Sequence, residues 1–218
     1  MSWWLTEPIR LVQTNLREID IDLDPAGFVA ELVDFSANVV LFNVGGIVAN
    51  YPTELEYHYP NPHLPIGRGD ILGEVIDRCH EAGIRFMARF DFSKVHESLA
   101  ARRPEWLYVS EAGTHNNYNG QVQACVSGGY QQEYCLKILS ETIARYRLDA
   151  VFFNMTGYQR DDYDRNYLGI CQCDACRTSF HARTGMDLPP TADTANPAFL
   201  ALERFSLERT NEQYDQIN

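Results

Sequence analysis

The sequence predicts an α/β fold built on a parallel sheet. Apolar runs of strand length alternate with amphipathic stretches of helical length, in the order β-α-β-α-β-α-β-α. Such alternation, with helices as crossovers, implies parallel strands and right-handed connections. A polar residue also stands at the end of each expected strand: Asn15, Asn43, Asp91 and Asn154. That pattern suits the C-terminal face of a (β/α)8 barrel, where strand ends and βα loops form the active site. The expectation is therefore about four βα units, the N-terminal part of a TIM-type barrel. A doubly wound sheet fits the alternation as well, but no G-x-G-x-x-G follows the first strand, so a dinucleotide fold has no support.

The first expected strand is 9–16, IRLVQTNL, which turns polar at Asn15, Arg17 and Glu18. Asp24-Pro25 is a helix start, with Asp as N-cap and Pro at the first helical position. Helix 25–36 spaces Phe28, Val29, Leu32, Val33 and Phe35 as one buried face. Strand 38–44, NVVLFNV, is continuously apolar, as in a strand covered on both sides. The long loop 47–69 is rich in proline and tyrosine, and such loops are often functional; packing on itself is the plainer reading. Asp70 caps helix 71–82, with Ile71, Leu72, Val75, Ile76 and Cys79 inward and Gly83 as its stop. Strand 84–90 ends at Asp91, and helix 93–102 follows, with Ser93 as N-cap. Residues 106–127 read as a hairpin or irregular insertion, and 129–146 as a long helix. A buried strand, 150–153, ends at Asn154. The loop 155–190 then carries C-x-C-x-x-C and a short helix, and a charged helix over 197–216 closes the chain.

Its 218 residues suit one large domain, and we expect a single incomplete barrel over 1–218. The net charge is -12 and the pI about 4.8. Without a basic patch, neither nucleic acid nor an anionic membrane surface is an expected partner. The N-terminus has no apolar run of a signal peptide, and no stretch approaches the roughly eighteen apolar residues of a membrane span. We expect a cytoplasmic location. In that setting the six cysteines favour metal or free thiols over a disulfide framework.

Several separated motifs carry a resemblance. VQTNLREID (12–20), VVLFNVGGIVANYPTELEYH (39–58), ARFDFSK (88–94) with PEW (104–106), and DAVFFNMTGY (149–158) resemble the hypothetical glycosyl hydrolase 6 family. The resemblance covers roughly residues 9–188 and implies a (β/α)8 barrel acting on a glycoside. Cys171, Cys173 and Cys176, with Cys125 upstream, also resemble the zinc site of glycoside hydrolase family 42 β-galactosidases. The spacing is chemically sensible alone: C-x-x-C brings two thiolates to one ion, and a structural zinc takes four ligands. His181 and Asp174 are substitute ligands. Unligated thiols, or a disulfide formed on oxidation, are the plainer reading. No organic cofactor is expected.

Glycoside hydrolysis uses two carboxylates, about 5 Å apart for retention and about 6.5–9.5 Å for inversion. Asp91 is the candidate catalytic residue. Gln13, Asn15, Arg17, Glu18, Asn43, Arg89, Lys94, Asn154 and Tyr158 are candidate substrate contacts, because they share or neighbour the strand ends. Asn154 is neither a nucleophile nor a proton donor, so its expected task is hydrogen bonding to a sugar hydroxyl. The second carboxylate would come from Asp161, Asp162 or Asp164, or from strands beyond residue 218; a solvated charge run is the plainer reading of the triplet. Tyr51, Tyr57, Tyr59, Trp106, Tyr118 and Tyr158 either stack on pyranose rings or pack loops. Half a barrel would need its C-terminal half or a second copy. The alternative function is a non-catalytic carbohydrate-binding barrel with a structural zinc used in assembly.

Overall fold

The computed structural model describes residues 3–65, 67 and 69–217. In chain order it has β1 (Leu11–Gln13), α1 (Pro25–Asp34), β2 (Val39–Gly46), α2 (Ile71–Glu81), β3 (Arg85–Asp91), β4 (Lys94–His96) and α3 (Glu97–Ala100). Then follow β5 (Asn117–Tyr118), β6 (Gln121–Gln123), α4 (Cys135–Arg145), β7 (Ala150–Asn154), α5 (Asp174–Thr184) and α6 (Pro197–Ile217). The chain divides into two compact units: Met1–Phe90 with Ile138–Asn154, and Asp91–Lys137 with Met155–Asn218. No described helix is long and apolar enough to cross a membrane.

The first unit is an α/β layer on a parallel sheet of order β1-β2-β3-β7. β2 is its centre: Val39, Val40, Leu41, Phe42 and Val44 are all buried, as an apolar run covered on both faces requires. β1 pairs parallel with it, Leu11 opposite Val39 and Gln13 opposite Leu41. Only three residues of the expected 9–16 form this strand. The reason is Asn43, whose side chain accepts from Leu16 N at 3.3 Å and from Thr14 Oγ at 3.1 Å. It replaces the next ladder bond, and Glu18–Ile21 then winds into a 3-10 turn. β7 is an edge strand rather than the fully buried one expected, with Val151 and Phe152 each more than a third exposed.

Asp24 caps α1 by accepting from the N–H groups of Ala26 and Gly27, and Asp70 caps α2 by accepting from Gly73 N. All five expected residues of α2 are buried. On α1 only Val29 and Leu32 are; Val33 and Phe35 are exposed. A helix turns about 100° per residue, so Val33 lies a quarter-turn beyond Leu32, while Phe35 is already the C-cap. The loop 47–69 packs on itself: Tyr51, His58 and Asn61 are buried, and Asn61 Nδ2 donates to Asn50 Oδ1 at 2.8 Å.

The second unit has a small antiparallel sheet of order β4-β6-β5. Lys94 lies opposite Gln123 and His96 opposite Gln121. This corrects the helix expected over 93–102, of which one turn, α3, remains. Ser93 is no N-cap here, because its N–H and hydroxyl both donate to Asp91 Oδ1; His96 caps α3 instead, accepting from Ser98 N. The hairpin expected within 106–127 is present as β5 and β6. Its two-residue turn is Asn119-Gly120, both at positive φ (51° and 82°), which matches the right-handed twist of the strands. Before α4 the backbone forms a π turn, Tyr130–Tyr134. α5 and α6 pack together through Phe180 and Phe205, whose rings meet edge to face at 5.6 Å.

Candidate functional site

In the first unit the expected strand-end residues divide into two groups. Asn15 and Arg89 meet: the Arg89 guanidinium donates to Asn15 Oδ1 at 3.1 Å. Asn43 sits inside β2 rather than at its end, and its side-chain oxygen accepts from Leu16 N and Thr14 Oγ. Gln13 is exposed at the end of β1. Arg17 makes a local exposed ion pair with Asp20 at 2.9 Å, and the Arg17 hydrogen bonds hold the Asp20 carboxyl below its ordinary range. The Glu18 carbonyl accepts from Asn61, which ties this turn to the long loop. Asn154 ends β7, half-buried.

In the second unit Asp91 begins a tight polar turn, with Oδ1 accepting from Ser93 N at 3.0 Å and Ser93 Oγ at 2.5 Å. Lys94 is 3% exposed, and its Nζ donates to Tyr163 Oη at 3.1 Å. Asp161 and Asp164 are exposed; Asp162 accepts from Asn166, which holds its carboxyl below the ordinary range. Tyr158 lies beside the cysteine cluster. Its hydroxyl lies 2.6 Å from Ser127 Oγ and 3.7 Å from Cys176 Sγ, at the cysteines. Trp106 is buried against Tyr130 and Tyr134, and Tyr51 is buried in the first unit, so the packing reading fits both. The exposed aromatic pair is Tyr118 with Tyr163, ring centroids 4.8 Å apart. Sequence reasoning missed Tyr163, because it lies in a polar loop and is placed by a residue some seventy positions earlier.

The four cysteines named from their spacing converge. Cys125 Sγ lies 3.6 Å from Cys171, 3.5 Å from Cys173 and 3.2 Å from Cys176. The four ligand atoms lie within 4.8 Å of one another, and all four residues are buried. A disulfide brings its sulfurs to about 2.05 Å, far closer than any of these. A tetrahedral zinc with Zn–S bonds of ~2.3 Å separates its sulfurs by about 3.8 Å, so the donor set fits one such ion. Cys173 caps α5, its Sγ accepting from Cys176 N at 3.4 Å. That geometry sets the two thiols of C-x-x-C on one side of the helix start. Apolar walls of Tyr108, Ile170, Phe180 and Phe205 surround them. Hydrogen bonding with Cys125, Cys171 and Cys176 holds the Cys173 thiol far below its ordinary range. Hydrogen bonds within the cluster, and then burial, push Cys125 up. Cys79 and Cys135 differ: burial pushes them up to about 12 and about 11, as inert core thiols. His181, a substitute ligand by sequence, is exposed and faces the Met186 carbonyl.

A parallel α/β layer defines the class of the fold, and the solved structures similar to it include a fucosidase and an alpha-galactosidase. The chain belongs to the hypothetical glycosyl hydrolase 6 family, whose sequence profile matches residues 24–155. No curated protein matches the chain. Among solved structures, alpha-L-fucosidase isoenzyme 2 from Paenibacillus thiaminolyticus is similar at TM-score 0.68 and 21% identity, over 96% of this chain and 31% of that one. The GH36 alpha-galactosidase AgaA from Geobacillus stearothermophilus is similar at TM-score 0.55 and 15% identity, over 98% and 27%. A hypothetical protein from Ruminiclostridium thermocellum is similar at TM-score 0.53 and 13% identity, over 68% and 77%. At these identities the likeness is one of fold, and the chain spans about a third of the fucosidase.

Proposed function

We propose that this chain forms part of a (β/α)8 barrel that binds and hydrolyses a glycoside at the C-terminal ends of its strands. The observation that supports the reading is the pairing of Arg89 with Asn15 beside the parallel sheet, in a chain of a glycosyl hydrolase family. Asp91 is the catalytic carboxylate, held by Ser93 in one rotamer. Asn15, Arg89 and Asn154 bind sugar hydroxyls, with Arg89 oriented by Asn15. Cys125, Cys171, Cys173 and Cys176 hold a structural zinc that fixes the loop after β7 to the end of β6. The metal supplies cross-linking there and no step of the chemistry. The exposed apolar side chains of β7 would be covered by further strands of the barrel or by a second copy. Six unpaired thiols and an acidic surface suit a reducing, cytoplasmic setting.

One observation favours a second reading, a barrel that binds carbohydrate without cleaving it: the fourth strand of the sheet ends in Asn154, which carries no acid or base. Turnover of a panel of aryl glycosides by the wild-type chain and by Asp91→Asn separates the two. Hydrolysis requires Asp91→Asn to lose about a hundredfold or more in rate. Sugar binding with no turnover selects the second reading, and turnover unaffected by Asp91→Asn refutes the catalytic role.

A further inference from the structure

Beside Lys94 the second unit has an open cavity of about 50 Å³, lined by Asn116, Gln123, Gln159 and Tyr163 among others. The polar groups of its floor are spent on one another. Gln123 Oε1 accepts from Asn116 Nδ2 at 3.0 Å, and Gln123 Nε2 donates to the Gln159 carbonyl at 2.8 Å. The Gln159 amide in turn donates to the Met155 carbonyl at 3.0 Å. Lys94 differs. Its ammonium has three donors, of which Tyr163 Oη takes one, and the Tyr163 ring lies 4.4 Å away. No carboxylate of the described residues lies within 4.0 Å of it, so it forms no ion pair. Asp161 and Asp162 also line the cavity. Both oxygens of Asp162, however, accept from Asn166, and Asp161 is exposed at the rim. Lys94 as a residue is 3% exposed, and a cation so placed, with no carboxylate paired to it, is a group that an anion entering the cavity would satisfy.

We propose that this cavity is a subsite for the carboxylate of an acidic sugar, a uronic acid, with Lys94 as the group that recognises its charge. The inference rests on the carbohydrate reading above and narrows its ligand. The half-exposed ring of Tyr163 lines the cavity, with the ring of Tyr118 packed against it at 4.8 Å, and offers an aromatic surface on which a sugar ring stacks while its carboxylate reaches Nζ. The hydrogen-bonded amides behind Lys94 fix β4 against the loop after β7, so the cation is positioned before the ligand arrives.

Titration calorimetry on the intact chain, with galacturonate and glucuronate, their methyl esters, and galactose and glucose, tests this. The ester keeps the shape and removes the charge. Free acids should bind about tenfold or more tighter than their esters, and Lys94→Met should abolish that preference while Lys94→Arg retains part of it. Equal binding of acid and ester by the wild-type chain overturns the proposal whether or not the variants fold. So does a preference that survives Lys94→Met. Binding of neutral sugars alone leaves the carbohydrate reading standing without this subsite, and no binding of any sugar refutes both.

Discussion

His58 shows at the scale of one residue how the long loop is secured. Gly46 N donates to its Nε2 at 3.2 Å, and its Nδ1 lies 3.3 Å from Tyr51 Oη. The Tyr51 hydroxyl is itself committed to Glu141 Oε2, at 2.7 Å. The proton therefore sits on Nδ1 of a neutral ring, and burial holds its pKa down to about 4. An unfolded histidine titrates near 6.5. The stability this residue contributes is thus full above pH ~6.5 and is lost as pH falls toward ~4, by up to about 3 kcal/mol. Urea unfolding between pH 7.5 and 4.5 should show that slope, and His58→Gln should flatten it; an equal slope in the variant would refute the assignment. Nothing in NYPTELEYH distinguishes this histidine from a surface one. One partner, Gly46, lies before the loop, and the other, Tyr51, is itself held by Glu141 far after it.

Elements with strong local signals were legible, and elements made by distant pairing were not. The apolar run of β2 and the five inward residues of α2 specify themselves through period and cap. Asp70 does more than cap α2: it also accepts from Tyr146 Oη at 2.5 Å and pairs with Arg145 at 3.0 Å. Asp70→Ala should cost about 2 kcal/mol in chemical denaturation, more than an isolated cap. A cost below about 0.5 kcal/mol would mean that the Tyr146 and Arg145 contacts contribute nothing. By contrast, 93–102 has helical composition, yet Lys94–His96 is drawn into a strand by Gln121–Gln123. That pairing leaves no mark in the local sequence, and tertiary context overrides propensity there. Without β4, Lys94 would not lie beside its cavity.

For the whole molecule, the cysteine cluster was legible, because three of its four members stand within six residues of one another in the chain. Cys125 was harder to place, standing 46 residues before Cys171, yet the fold brings it into the cluster. Metal analysis of the purified chain should find about one zinc per chain. Removing it with a chelator, or Cys173→Ser, should lower the melting temperature and release the loop after β7 to protease. Zinc affinity should fall as pH drops, because protons compete for the thiolates. A metal-free chain of unchanged melting temperature would leave the cluster as packed thiols. The hydrogen bonds of Asn43 and Tyr158 were less legible: Asn43 Oδ1 accepts from Leu16 N, and the Tyr158 hydroxyl lies against Ser127 and Cys176, partners that leave no local mark in the sequence. The most direct test of carbohydrate action at the strand ends is amide chemical-shift mapping of the intact chain during titration with mono- and disaccharides. The account predicts shifts clustered at Asn15, Arg89, Asp91 and Asn154; saturable shifts confined to α1 and α2, or none with any sugar, would contradict it.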